Sequence, residues 1–160
     1  MCILPYRTVN NVIDLYERGW FGAAGGRGAD ASGSFTATAA APQSVNGMRL
    51  FLGVGHHSGK MGAANYRVNA LLTLDPTSGL VNSRVVASGY GFGASEPLEI
   101  HWPNIIRAVA TMTADINGRF SGSNAVTFRV PSGAAPGAYT VVAKGTSFVI
   151  PEADATFTVP

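Results

Sequence analysis

Residues Pro97–Phe120 read PLEIHWPNIIRAVATMTADINGRF, and the earlier stretch Val12–Phe35 reads VIDLYERGWFGAAGGRGADASGSF. The two align without a gap at an offset of 85 residues (97 minus 12), and both end in the pattern Ala-Asp-x-x-Gly-x-Phe. After a short insertion in the later copy the match resumes, pairing Gly47 with Gly137, Gly55 with Gly145, Tyr66 with Phe157 and Val68 with Val159. The chain is therefore a repeat of one structural unit.

The later copy has the sequence pattern of short β-strands. Leu71–Leu74 is an apolar run that the turn residues Asp75–Gly79 end. Pro97–Trp102 alternates between apolar and polar residues, as a half-buried strand does. Asp115–Gly118 has the composition of a hairpin turn, because Asp opens a turn and Gly accepts positive φ. The predicted strands are 71–74, 84–88, 97–102, 105–113, 126–130, 138–143 and 155–159.

This spacing predicts an all-β protein. About seven short strands at regular intervals, without a helical period between them, are typical of an antiparallel sandwich. One sheet cannot bury its own apolar face, so two sheets must pack together in each unit. The repeat boundary is predicted near Asn69–Ala70.

Copy two resembles a known family through the segments LTLDPTSG, VVASGYGF, LEIHW, ADINGRF, VPSGAAPGAYTVVAKG and ATFTV. It is similar to the immunoglobulin-like (IPT/TIG-like) modules of bacterial secreted and cell-surface proteins. The resemblance covers 70–160, and it reaches 12–68 through the repeat. It implies tandem immunoglobulin-like antiparallel β-sandwiches, in which residues 1–69 form an incomplete module without the first strand and residues 70–160 form a complete one.

The resemblance also implies a role. Such modules serve as stalks, spacers, adhesive units or accessory domains beside enzymes, so we expect a non-enzymatic structural or interaction module at the cell surface or outside the cell, without a cofactor. The alternative is a carbohydrate-binding accessory module of a larger secreted hydrolase. Residues Met1–Trp20 lack the basic and apolar regions of a signal peptide.

The first module presents an open edge, because a sandwich that lacks an edge strand leaves backbone groups and an apolar groove without a cover. Two explanations stand side by side. Either residues upstream of Met1 belong to a longer protein, or a strand from another chain completes the sheet by β-augmentation. The second explanation makes the protein an assembly or filament subunit that self-associates, or binds a protein partner, through residues 1–69.

Composition narrows the class of protein further. Charged residues are 12% of the 160, the net charge is +2, and mean hydropathy is +0.18, which argues against a disordered chain. No apolar run approaches the roughly 18 residues of a membrane-spanning helix. The basic residues are scattered singly, so a nucleic-acid surface is not expected. The single cysteine, Cys2, excludes an intramolecular disulfide and a cysteine-based zinc cluster.

The candidate chemical motifs favour structural roles. His56-His57 has no nearby carboxylate or cysteine to complete a metal site. Asp115–Gly118 has the start of a calcium loop but not its later acidic ligands, so we interpret it as a turn. The acidic residues are dispersed, and no nucleophile–base pair is visible. The sequence thus predicts neither a catalytic nor a metal site.

Aromatic residues supply the candidate binding patch. Trp102 shares a strand face with Leu98 and Ile100, so we predict that it is a core residue. Trp20-Phe21 occupies the repeat position of Ile105-Ile106. Because adjacent residues of a strand face opposite sides, we expect one ring of Trp20-Phe21 to face solvent or a partner, whether a protein or a glycan.

Overall fold

The computed structural model describes residues 12–17, 26–28, 32, 34, 44–55, 58–145 and 152–160, with only the backbone course for 12–17 and 26–28. The chain divides into two compact units at Arg67 and Val68, and the segment 44–47 groups with the second unit. Unit 1 contains β1 (Val12–Glu17), β2 (Gly26–Gly28), β3 (Gly47–Gly55) and β4 (Met61–Val68). Unit 2 contains β5 (Leu71–Asp75), β6 (Arg84–Tyr90), β7 (Pro97–His101), β8 (Ala110–Thr113), β9 (Val126–Arg129), β10 (Gly137–Gly145) and β11 (Glu152–Val159).

Unit 2 is built from two antiparallel sheets. One has three strands in the order β5-β6-β9, and the other has four in the order β11-β10-β7-β8. The described residues contain no α-helix, only a 3-10 turn at Gly122–Asn124. The prediction of an all-β protein is therefore confirmed. No described segment is a helix long and apolar enough to cross a membrane.

The two sheets of unit 2 enclose one hydrophobic core. Alternate residues of each strand point inward, as the period of two requires. Trp102 is 3% exposed, and its ring packs 4.8 Å from Tyr139, 5.7 Å from Phe157 and 6.3 Å from Phe128, measured between ring centroids. The prediction that Trp102 is a core residue is confirmed. The fully buried large side chains are Phe92, Phe120, Phe157, Leu98, Ile100, Val85, Val130 and Val141.

The chain between β5 and β6 crosses from one sheet to the other. Ser78 forms a parallel bridge with Thr158 of β11. The Thr158 amide donates to the Thr77 carbonyl at 3.0 Å, and its carbonyl accepts from the Gly79 amide at 3.1 Å. This crossing satisfies backbone groups on the outer edge of β11 that would otherwise face solvent.

The predicted strand 105–113 is wrong in its first half. Residues 102–109 form a loop, and the strand begins only at Ala110. Pro103 cannot donate a ladder hydrogen bond, and Asn104 adopts a left-handed φ of 64°, so the chain turns out of the sheet after Trp102. Because Ile105 and Ile106 lie in this loop, alternation along a strand does not govern their orientation.

The predicted hairpin at Asp115–Gly118 is also wrong. β8 pairs with β7, whereas β9 pairs with β6 in the other sheet, so the turn joins the two sheets. Phe120 explains the difference, because its side chain is buried in the core and its backbone bridges Gly89 on β6. Burial of that ring draws the chain across the sandwich instead of back along β8.

Unit 1 contains a sheet in the order β2-β1-β3-β4, which is the order β8-β7-β10-β11 at repeat-equivalent positions. The registers agree as well. Val12 pairs with Gly28 as Pro97 pairs with Thr113. Asp14 pairs with Val54 as Glu99 pairs with Lys144. The described residues of unit 1 supply this one sheet, so the tandem immunoglobulin-like arrangement stays a prediction.

We expect the stability of unit 2 to depend on its core and not on its surface isoleucines. Ile100→Ala removes a side chain with 0% exposure and should lower the free energy of unfolding by about 2–5 kcal/mol. Ile106→Ala changes a residue that is 99% exposed and should cost less than about 0.5 kcal/mol. Urea unfolding in a Trp20→Phe background, followed by Trp102 fluorescence, measures both. Equal losses would contradict the core described above.

Candidate functional site

In unit 1 the structure describes side chains mainly for the hairpin formed by β3 and β4. At its tip the Gly55 amide donates to the Lys60 carbonyl at 2.9 Å, and the Gly59 amide donates to the Gly55 carbonyl at 2.8 Å. Gly59 has a φ of +62°, a left-handed conformation that glycine adopts without a steric penalty. The hairpin bonds fix the pairing between the two strands. His56 and His57 lie outside the described residues.

One face of β3 carries the apolar run Met48, Leu50, Leu52 and Val54, whereas Arg49 and Phe51 lie on the other face, and none of its residues is fully buried. The side chains from Leu50 to Leu52 and Val54 are half-buried. The repeat-equivalent strand β10 behaves differently, because it buries Val141 and Ala143 against the second sheet of unit 2. A strand face made entirely of apolar side chains favours contact with another layer or a partner. Among the described residues of unit 1, no second sheet packs against β3 as the sheet β5-β6-β9 packs against β10.

β4 is the terminal strand of its sheet. Residues Met61 to Asn65 are exposed, with Met61 at 73%. Tyr66 stacks on Phe51 of β3, with ring centroids 4.8 Å apart. No residue from Met61 to Tyr66 carries a formal charge. The edge thus offers backbone hydrogen-bonding groups in an uncharged, open setting, which favours strand addition.

The equivalent strand β11 is protected in three ways. Glu152 pairs with the Lys144 ammonium at 3.4 Å, Asp154 adds a second negative charge along the strand, and the segment around Ser78 covers the far end. Charges and covering segments are the usual means by which proteins block pairing at sheet edges. The two copies of the repeat therefore differ in the feature that controls strand addition.

A shallow groove lies in unit 2 where β7 ends beside β10. Its volume is about 470 Å³, and its lining includes His101, Asn104, Tyr139, Thr140 and Val142. The His101 ring lies 2.9 Å from the Glu99 carboxylate, which orients it. The Tyr139 hydroxyl donates to the Ala135 carbonyl at 2.8 Å. An aromatic ring among polar side chains can bind a small polar ligand.

The groove had no signal in the sequence. His101 and Thr140 belong to separate strands and come together because His101 pairs with Val142 in the β7–β10 ladder.

The predicted patch Trp20-Phe21 lies outside the described residues. At the equivalent loop, Ile106 is 99% exposed and Ile105 is 37% exposed, so this loop of unit 2 carries apolar surface.

The Asp115 carboxylate is held in a turn by local hydrogen bonds. Its Oδ1 accepts from the amides of Asn117 at 2.8 Å and Arg119 at 3.0 Å, and its Oδ2 accepts from Arg119 Nε at 3.2 Å. Gly118 turns with a φ of +71°, and a Cβ there would collide with the Phe92 carbonyl. Among the residues that the structure describes, no three His, Cys, Asp or Glu side chains gather as metal ligands.

The turn also changes the acidity of Asp115. Desolvation raises the pKa of its carboxyl, but the amide hydrogen bonds from Arg119 and Asn117 and the Arg119 guanidinium outweigh it, so the pKa is lowered from 3.8.

Comparison of the chain with protein-family models, curated proteins and solved structures yields no match. The IPT/TIG-like resemblance therefore stays a prediction.

Glu96 is a buried carboxylate that the sequence did not single out. It is 7% exposed and accepts a hydrogen bond from the Gly93 amide at 2.7 Å. Its carboxyl group also lies where a Cβ at Gly145 would be. The Glu96 side chain thus joins the β6–β7 corner to the end of β10. The only signal for it is a glutamate just after a glycine-rich corner.

Asp115→Asn should weaken unit 2 at neutral pH. A carboxyl with a lowered pKa in the fold stabilises it above pH 3.8, and this contribution is lost as the pH falls through the lower folded value. The stability difference between the variant and the native chain should therefore shrink below pH 3.8. Thermal unfolding from pH 7 to pH 2.5 measures it, with the exposed residue Asp154→Asn as the matched control. A difference that stays constant with pH would disprove this role for the carboxylate.

Proposed function

We propose that this chain is a non-enzymatic structural and interaction protein of the bacterial surface or exterior. In this proposal unit 2 is the stable spacer and unit 1 is the part that binds. One observation carries it: the sheet of unit 1 has the strand order and register of a sheet in unit 2, but its β4 edge is uncharged and exposed from Met61 to Asn65. Partner recognition then occurs through β-structure and needs no cofactor.

The spacer role is supported by the packing of unit 2. Its four-stranded and three-stranded sheets bury a continuous apolar core, and its β11 edge carries charges and the crossing at Ser78. These features keep a β-sandwich monomeric and stable along that side. A unit of this kind can hold a neighbouring module away from an anchoring point without taking part in binding.

The binding role of unit 1 is supported by the comparison between β3 and β10. At outer positions of β10 stand Thr140 and Lys144, whereas the equivalent positions of β3 hold Leu50 and Val54. Exposed polar groups favour a solvated face, and apolar groups in their place favour contact with a partner. The proposal includes self-association and assembly among the modes of binding.

The surface location can be tested on intact cells of the source organism. External protease should degrade the protein while a cytoplasmic marker survives, because a surface protein is accessible and the marker is not. Lysed cells treated in the same way are the control for intrinsic protease sensitivity. If the protein survives on intact cells and is degraded in lysates, the proposed location is wrong.

The groove beside β7 and β10 favours carbohydrate binding as a second candidate function. Tyr139 is half-buried there, and His101, Asn104 and Thr140 place polar groups around it. Sugars combine apolar ring faces with hydroxyl groups, so a ring beside hydrogen-bonding side chains suits them. The Trp102 indole is buried beneath Tyr139 and contributes support instead of direct contact.

A glycan array probed with the full chain tests this second function. Binding should saturate with one class of glycan and fall at least tenfold in the double variant Asn104→Gly, Thr140→Ala, since each change removes a groove hydrogen-bonding group and glycine tolerates the left-handed φ of position 104. Thr111→Ala on the exposed side of β8 is the control and should bind like the native chain. Absence of saturable binding, or equal loss in the control, excludes the groove as a glycan site.

A further inference from the structure

The outward-facing backbone groups of β4 can be assigned from two observations. The Gly55 amide donates to the Lys60 carbonyl, so Lys60 and every second residue after it pair with β3. In the equivalent strand, the amide and carbonyl of Thr158 face outward to Thr77 and Gly79. Arg67 occupies the repeat position of Thr158, and both observations therefore make the amide and carbonyl of Arg67 face away from β3. The outward-facing residues of β4 are Met61, Ala63, Asn65 and Arg67.

We propose that β4 of one molecule pairs antiparallel with β4 of a second copy of this chain, about a two-fold axis at Ala64. This deepens the proposed function, on which it rests, by identifying the partner and the register. Each outward-facing residue then meets another: Met61 meets Arg67 of the second copy, and Ala63 meets Asn65 of the second copy. Every outward amide and carbonyl gains a hydrogen-bond partner, and the two four-stranded sheets become one.

The side chains of β4 are self-complementary in this register. Gly62 lies opposite Tyr66 of the second copy, so the ring covers a position that has no side chain. Ala64 lies opposite its own copy, where a small residue is needed at a close pair. The only charged residue, Arg67, faces Met61, so no like charges are directly opposed. The exposure of Met61–Asn65 leaves the edge open to this partner.

The second copy is preferred over other strands for a further reason. An isologous two-fold pairing uses each β4 edge once, so it closes at a dimer. On the equivalent side of unit 2, β11 carries Glu152 and Asp154 and is bridged by Ser78, so it does not offer a competing edge. Of the two repeat-equivalent strands β4 and β11, only β4 has an uncharged and exposed edge, which favours the pairing of β4 with β4.

Cysteine cross-linking tests the register directly. In a Cys2→Ser background, Ala64→Cys places two thiols at a non-hydrogen-bonded pair, whose Cα atoms are about 4.5 Å apart, within disulfide range. Ala63→Cys is the matched control, since its own copy lies diagonally at about 7–8 Å, beyond that range. We expect mild oxidation to give a covalent dimer with Ala64→Cys only. Cross-linking at Ala63 instead, or at neither position, overturns the proposed register.

Proline substitution tests the edge without cross-linking. Ala63→Pro removes an outward amide that the monomer does not use, so the fold should persist while the dimer is lost. Asp154→Pro, at the equivalent position of β11, should leave the dimer intact. Sedimentation equilibrium gives the mass and circular dichroism checks the fold; if Ala63→Pro unfolds, Ala63→Asp provides the same test with a charge.

The native chain should sediment as a dimer and Ala63→Pro or Ala63→Asp as a monomer. A native chain that is monomeric at all concentrations, or a dimer that survives both Ala63 variants, overturns the pairing. Neither result touches the surface location, which the protease experiment decides separately. The failure of the pairing can therefore be distinguished from the failure of the proposed location.

Discussion

A four-stranded antiparallel sheet with one apolar face needs a second apolar layer to cover that face. In unit 2 the layer is the sheet β5-β6-β9, and Trp102 forms the centre of the contact by packing against Phe128, Tyr139 and Phe157. Trp102 and Tyr139 also line the groove, and the Phe157 ring lies near Gly79 beside the crossing at Ser78. Without the second layer, the apolar residues of β7 and β10 would face water, at roughly 25 cal/mol for each Å² exposed.

The two units share one sheet topology and register but differ in their surface side chains. The backbone pairing is the same, since Glu99 pairs with Lys144 where Asp14 pairs with Val54. The side chains are not, because β10 carries Lys144 and β3 carries Val54 on the equivalent position. Backbone register is set by the ladder and the turns, so it tolerates such changes. Surface chemistry is then free to diverge between the two units.

Much of the fold was readable from local patterns. The alternation in Pro97–Trp102 and the apolar run at Leu71–Leu74 predicted strands that the structure contains, and the repeat offset placed β1 and β7 at equivalent positions. These succeeded because hydrophobic periodicity and turn residues act over a few positions. The immunoglobulin-like identity and the domain boundary remain predictions.

The errors and omissions arose from longer-range interactions. Asp115–Gly118 looked like a hairpin turn, but the burial of Phe120 beside Gly89 sends the chain to the other sheet. The groove depends on His101 meeting Val142 across a ladder, which no short window of sequence contains. The direction of the β4 amides depends on the hydrogen bond between Gly55 and Lys60, which forms only in the folded hairpin.

The packing around Glu96 couples the residue choices at positions 93, 96 and 145. A methyl group at Gly145 or Gly93 would occupy the space that the Glu96 carboxyl fills, and the Gly93 amide is the donor that this carboxyl needs. A side chain at either glycine therefore displaces the Glu96 carboxyl unless position 96 holds a shorter residue, so the effect of each substitution depends on the others. Among descendants of this sequence the three sites should drift together, as an epistatic triplet.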